Sequence, residues 1–76
     1  MVRAYVTVTT VTETSPDIVV ELRELEGVKK ADIVAGRFDI IVEVEADSHQ
    51  DLLVLITEKI QAISGVGRTN TCIVLE

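Results

Sequence analysis

The chain repeats itself. Gly27-Val28 recurs as Gly65-Val66, 38 positions on, and the same offset aligns Val2, Ala4 and Val6 with Ile40, Val42 and Val44. It also aligns Leu22 and Leu25 with Ile60 and Ile63, Lys30 with Arg68, and Asp32 with Asn70. A repeat of this length, covering nearly the whole of 76 residues, restricts the fold to two copies of one supersecondary unit.

Within each unit the periods are legible. Val2, Ala4, Val6 and Val8 alternate with Arg3, Tyr5, Thr7 and Thr9, the period of two of a half-buried strand. Thr14-Ser15-Pro16-Asp17 is a helix start: Ser15 or Thr14 can cap, Pro16 suits the first turn, and Asp17 complements the dipole. Ile18, Val19, Leu22 and Leu25 then recur at helical spacing, Glu21, Arg23, Glu24 and Glu26 face outward, and Gly27 closes the helix. A second strand over 28–35 breaks at Gly36-Arg37, and Phe38, Ile40, Val42 and Val44 mark a third. Ser48 with Asp51 resembles a capping box, Leu52, Leu55, Ile56, Ile60 and Ile63 form an apolar stripe, and Gly65 opens a last strand over 66–75.

The order β-α-β-β-α-β predicts a single α+β domain over residues 1–76. It is a ferredoxin-like βαββαβ sandwich, with antiparallel sheet order 4-1-3-2 and two helices on one face. The other face, carrying Tyr5, Thr7, Thr9, Val11, Ile41, Glu43 and Glu45, is bare in a monomer. One reading is an ordinary solvated sheet face. The other is a sheet-to-sheet dimer interface of Tyr5, Thr7, Thr9, Ile41 and Glu43, favoured because so small a domain hides only about 60% of its unfolded surface. Disulfides offer no alternative support, since Cys72 is the only cysteine.

Composition excludes several function classes. With 13 acids against 7 bases the net charge is −6, which repels phosphate backbones, so no direct nucleic-acid partner is expected. The longest apolar run, residues 52–56, falls far short of the roughly 20 needed to cross a bilayer, so a cytoplasmic protein with no membrane partner is expected. One histidine and one cysteine supply no metal set, and no cofactor motif is present. His49 reads as a helix-start surface residue, Cys72 as a small buried hydrophobe, and no enzyme motif is found. The connection over 10–16 lacks the glycines that acylphosphatase-like anion binding on this fold would need.

Two motifs remain: Gly36-Arg37-Phe38-Asp39 at the hairpin, and Gly65-Val66-Gly67-Arg68-Thr69-Asn70-Thr71 leading into the last strand. Correctly placed on this topology, they resemble the RAM domain (regulation of amino-acid metabolism) of the Lrp/AsnC family of feast/famine regulators. The resemblance spans the whole chain, including Ala4-Tyr5-Val6 and Glu26-Gly27-Val28. It implies sheet-paired dimers assembling into rings such as octamers or decamers, with a free amino acid bound between dimers. Usual members carry an N-terminal helix-turn-helix. This sequence begins at the first strand, so a stand-alone domain is expected, acting indirectly on transcription or amino-acid metabolism through full-length Lrp/AsnC regulators.

For the effector, the resemblance points to the two motif segments. Asp39 can accept an ammonium, backbone N–H groups around Gly36 can receive a carboxylate, and Thr69 and Thr71 offer hydroxyls. Phe38 offers an apolar wall, and Arg37 lies within the same motif. Each has a plainer reading. Gly36 serves a tight hairpin, Asp39 bonds turn amides, Phe38 joins the core, Thr69 and Thr71 are ordinary strand residues, and Arg37 with Lys29 and Lys30 forms a solvated basic patch. Alternatives to an effector domain are a purely structural assembly protein or a small dimeric ferredoxin-like enzyme.

Overall fold

Burial along the first strand follows its period of two. In β1 (Val2–Thr10) Ala4, Val6 and Val8 are fully buried, while Tyr5 stays 42% exposed. The computed structural model describes residues 1–11 and 15–75; a cap at Thr14 lies outside the described residues. Next come α1 (Ser15–Glu24), β2 (Val28–Ile33), β3 (Ile40–Ala46), α2 (His49–Val54) with a π-helical continuation over Leu55–Ile60, and β4 (Val66–Ile73). The sheet order is β2-β3-β1-β4 with every pair antiparallel, the predicted order read from the other edge.

The core is one cluster between the sheet and the helices. Ile18, Val19 and Leu22 of α1, and Leu52, Leu55, Ile56 and Ile60 of the second helix, pack on Ala4, Val6, Val8, Ala31, Ile40, Val42 and Val44. The repeat is visible in the turns that close the helices. Leu25 N–H donates to Leu22 O (3.1 Å) and Val28 N–H to Leu25 O (3.2 Å); 38 positions on, Ile63 N–H donates to Ile60 O and Val66 N–H to Ile63 O, both at 3.2 Å. Gly27 and Gly65 hold φ of 97° and 96° at the same point of each half, where a side chain would be strained.

The second helix departs from its mate. Gln61 N–H reaches back five residues to Ile56 O at 3.1 Å, and the Thr57 hydroxyl donates to Leu53 O at 2.7 Å, the kind of side-chain competition that loosens an α-helical ladder. Its start is conventional: Ser48 Oγ accepts from Asp51 N–H at 3.1 Å, as its capping-box pattern predicts. No helix among the described residues is long and apolar enough to cross a membrane.

Three boundaries and one burial differ from the sequence reading. β2 ends at Ile33 rather than 35, β3 begins at Ile40 rather than Phe38, and β4 ends at Ile73 rather than 75. The link between β2 and β3 is thus six residues, not a tight turn. Cys72 is exposed, because it pairs with Tyr5 and so shares the uncovered face. Replacing Ser48 by Ala is expected to cost about 1 kcal/mol. Leu22→Ala should cost ~2–5 kcal/mol, a large share of a small domain's stability, both read by urea denaturation.

Candidate functional site

The two motifs converge on the end of β1, and among the described residues neither of two surface depressions is lined by them. From the hairpin side, Val34 N–H donates to Asp39 O at 2.9 Å, and Asp39 N–H donates to Val8 O at 3.0 Å. The Asp39 carboxylate Oδ2 accepts from Thr10 N–H at 2.8 Å and from the Thr10 hydroxyl at 3.3 Å. That hydroxyl lies 3.4 Å from Ser15 Oγ, at the start of α1. Asp39 therefore ties the loop to β1 rather than to its own turn amides.

From the other side, the β1–β4 ladder shifts register between Val8 and Thr10. Thr9 Oγ1 fills the gap, accepting from Arg68 N–H at 2.9 Å and donating to Arg68 O at 3.2 Å. Val11 N–H donates to Gly65 O at 3.0 Å. Thr9 was assigned to the sheet-pairing set by alternation, yet its hydroxyl is spent within the chain.

The remaining motif residues are separate. Gly36 and Arg37 are exposed on the loop, and Phe38 is half-buried outside the core cluster. Thr69 and Thr71 pair with Val8 and Val6, which puts them on the helix-covered side of the sheet with β1 between them and β3. The Thr69 hydroxyl bonds Gln61 Nε2 at 2.6 Å, while Thr71 is exposed. Sequence reasoning did not find Thr10 or Gln61, whose roles are bonds between elements that carry no local pattern.

The uncovered face carries the other predicted set. Tyr5 pairs with Glu43 and Cys72, and Thr7 with Ile41 and Asn70. Tyr5, Ile41, Glu43, Lys30 and Asp32 line a shallow depression of about 250 Å³. Lys29 pairs with Glu45 and Lys30 with Asp32, each at 3.6 Å, so both lysines are partnered by strand carboxylates. A larger depression of about 380 Å³ lies among Gly27, Glu45, Asp51 and Lys59, and no hairpin-motif residue lines it.

The glycines of the two motifs have opposite standing. A Cβ on Gly67 would meet Thr9 O at 3.1 Å, Val11 Cγ1 at 3.2 Å and Thr9 Oγ1 at 3.3 Å. A Cβ on Gly36 would meet nothing within 4 Å, and its φ is not positive, so the loop does not demand glycine there. Gly67→Ala is expected to cost ~1–3 kcal/mol by overpacking. Gly36→Ala should be neutral or stabilising by about 0.5 kcal/mol, through a less flexible unfolded chain. Parallel thermal melts of the two variants check the contrast.

Known proteins agree with this architecture. The model of the Lrp/AsnC ligand binding domain matches residues 3–76. An HTH-type transcriptional regulator of Pyrococcus furiosus is 32% identical over 60 residues, 79% of this chain and 40% of the regulator. Among solved structures, FFRP-DM1 superposes with a TM-score of 0.94 at 35% identity, covering 99% of this chain and 100% of that one. AsnC of E. coli superposes with a TM-score of 0.93 at 26% identity, covering 99% of this chain and 51% of AsnC. The chain thus spans 40% of the length of the curated relatives it matches. Those relatives are regulators of transcription, and with them this chain belongs to the Lrp/AsnC ligand-binding domain family.

Proposed function

We propose that the chain is an amino-acid-binding and assembly domain that pairs through its open sheet face and regulates transcription or amino-acid metabolism indirectly, by co-assembly with full-length Lrp/AsnC regulators. The observation that carries this reading is the one-sided sheet. Both helices cover one face, and the other presents Tyr5, Ile41 and Cys72 among polar groups. An apolar centre inside a polar rim is the anatomy of a moderate protein–protein interface. Rings built from such dimers would leave crevices between dimers in which the hairpin loop of one copy meets a neighbour.

A free amino acid removed from water needs partners for both its charges. The space above Gly36, the half-buried Phe38 ring and the exposed Thr71 hydroxyl suit such a crevice once a second subunit closes it. The net charge of −6 argues against direct binding to DNA by these residues. A second reading, an assembly domain without ligand, is favoured by the Asp39 carboxylate, which is already engaged by Thr10.

Light scattering with thermal melts across the twenty amino acids tests both. A species larger than a monomer is expected, together with one amino acid that raises the melting temperature. At a hundredfold excess over Kd the gain is about 2.7 kcal/mol, roughly 10 °C or more for a domain this small. Assembly without any ligand response selects the second reading, and a folded, indifferent monomer at high concentration sinks both. Ile41→Glu, which adds a charge to the centre of the open face, is expected to reduce the assembly to monomers that still melt cooperatively.

A further inference from the structure

Each flank of the dipeptide Thr9-Thr10 is closed by a side chain where a backbone partner would ordinarily stand. On the β3 side, the last backbone rung is Asp39 N–H to Val8 O, and the next is made by the Asp39 carboxylate with Thr10 N–H. On the β4 side, the Thr9 hydroxyl bridges both backbone groups of Arg68 at the register shift. Gly67 lets β4 approach Thr9 closely enough for that bridge. We infer that the end of β1 is the positioning element of the effector site: Asp39 and Thr9 are positioning residues that hold the hairpin loop and the start of β4 in register with one another.

The Thr9 hydroxyl and the Asp39 Oδ2 are then spent on the chain's own backbone, and the ligand's ammonium is left to other groups. A shift of the loop is carried to Thr10 through the carboxylate, and from Thr9 to Arg68 through the hydroxyl. The part of this inference that concerns ligand rests on the effector reading above. The ties themselves do not, and they can be measured without ligand.

Four variants separate the roles: Asp39→Asn and Thr9→Ser keep an acceptor oxygen, whereas Asp39→Ala and Thr9→Val remove it. Amide hydrogen exchange by NMR should rise about tenfold at Thr10 in Asp39→Ala and about tenfold at Arg68 in Thr9→Val, the loss of one charge-assisted or paired bond. It should stay within about threefold in the two conservative variants. Amino-acid affinity should fall about tenfold in the truncations and return in Asp39→Asn and Thr9→Ser. Unchanged exchange in either truncation overturns the inference. So does an Asp39→Asn protein that protects Thr10 but loses binding, which would make Asp39 a direct ligand contact. If the parent chain answers to no amino acid, the effector reading fails, and exchange alone decides the ties. Should a truncation fail to fold, Asp39→Asn is decisive: the Thr10 amide proton moves upfield on losing its charged acceptor, or stays put and refutes the bond.

Discussion

β1 is bonded along both edges, to β3 from Val2 through Val8 and to β4 from Ala4 through Thr10, so none of its side chains is free to change face. A slip of one residue would carry Ala4, Val6 and Val8 out of the core and drive Tyr5 and Thr7 into it. The two neighbours are thereby set as well, since Val42 and Val44 face the helices only because they lie opposite Val6 and Ala4. The same registration fixes where each flanking strand runs out, and the motif segments begin at those places.

The duplicated unit explains the matched helix ends and also shows where duplication gives way. Both halves close their helices with the same pair of hydrogen bonds and the same left-handed glycine. Between cap and closure they diverge. α1 is regular over ten residues, whereas its counterpart widens into a π-helix where Thr57 takes the Leu53 carbonyl. The widened turn still keeps Leu55, Ile56 and Ile60 buried, and leaves Gln61 to reach the Thr69 hydroxyl on β4. A core stripe tolerates such a change because burial asks which face a residue occupies, not which carbonyl its amide meets.

The fold was legible because its signals are periodic and local: alternation in β1 and β3, the Ser48 cap, the two closing glycines. The site was legible only as a pair of segments. Gly67 announced itself as glycine and lies where a side chain would be tight, but the residue that crowds it, Thr9, is nearly sixty positions away. Gly36 announced itself in the same manner and is under no such constraint. Cys72 was expected inside from its apolar neighbours Ile73 and Val74, and only the register with Tyr5 shows that it faces out. Asp39 is the sharpest case. A carboxylate at the end of a motif suggests a ligand contact, yet it accepts from the Thr10 amide of β1 at 2.8 Å. Residue type records what a side chain can bond; the chain's own path decides which donor reaches it first.

The same strand pairing sets the charge of the open face. An isologous contact brings a patch against the same patch, so a patch of one charge sign opposes its own assembly. The whole chain carries 13 acids and 7 bases, but on this face Arg3 stands beside Glu45 and Lys30 beside Glu43 and Asp32. The surplus of acid lies elsewhere, with Asp17, Glu21, Glu24, Asp51 and Glu58 all exposed on the helices. The strand pairing that closes the core therefore also sorts the charge. It leaves the uncovered side of the sheet nearly balanced around Tyr5 and Ile41, while the acidic excess on the helical side repels polyanions.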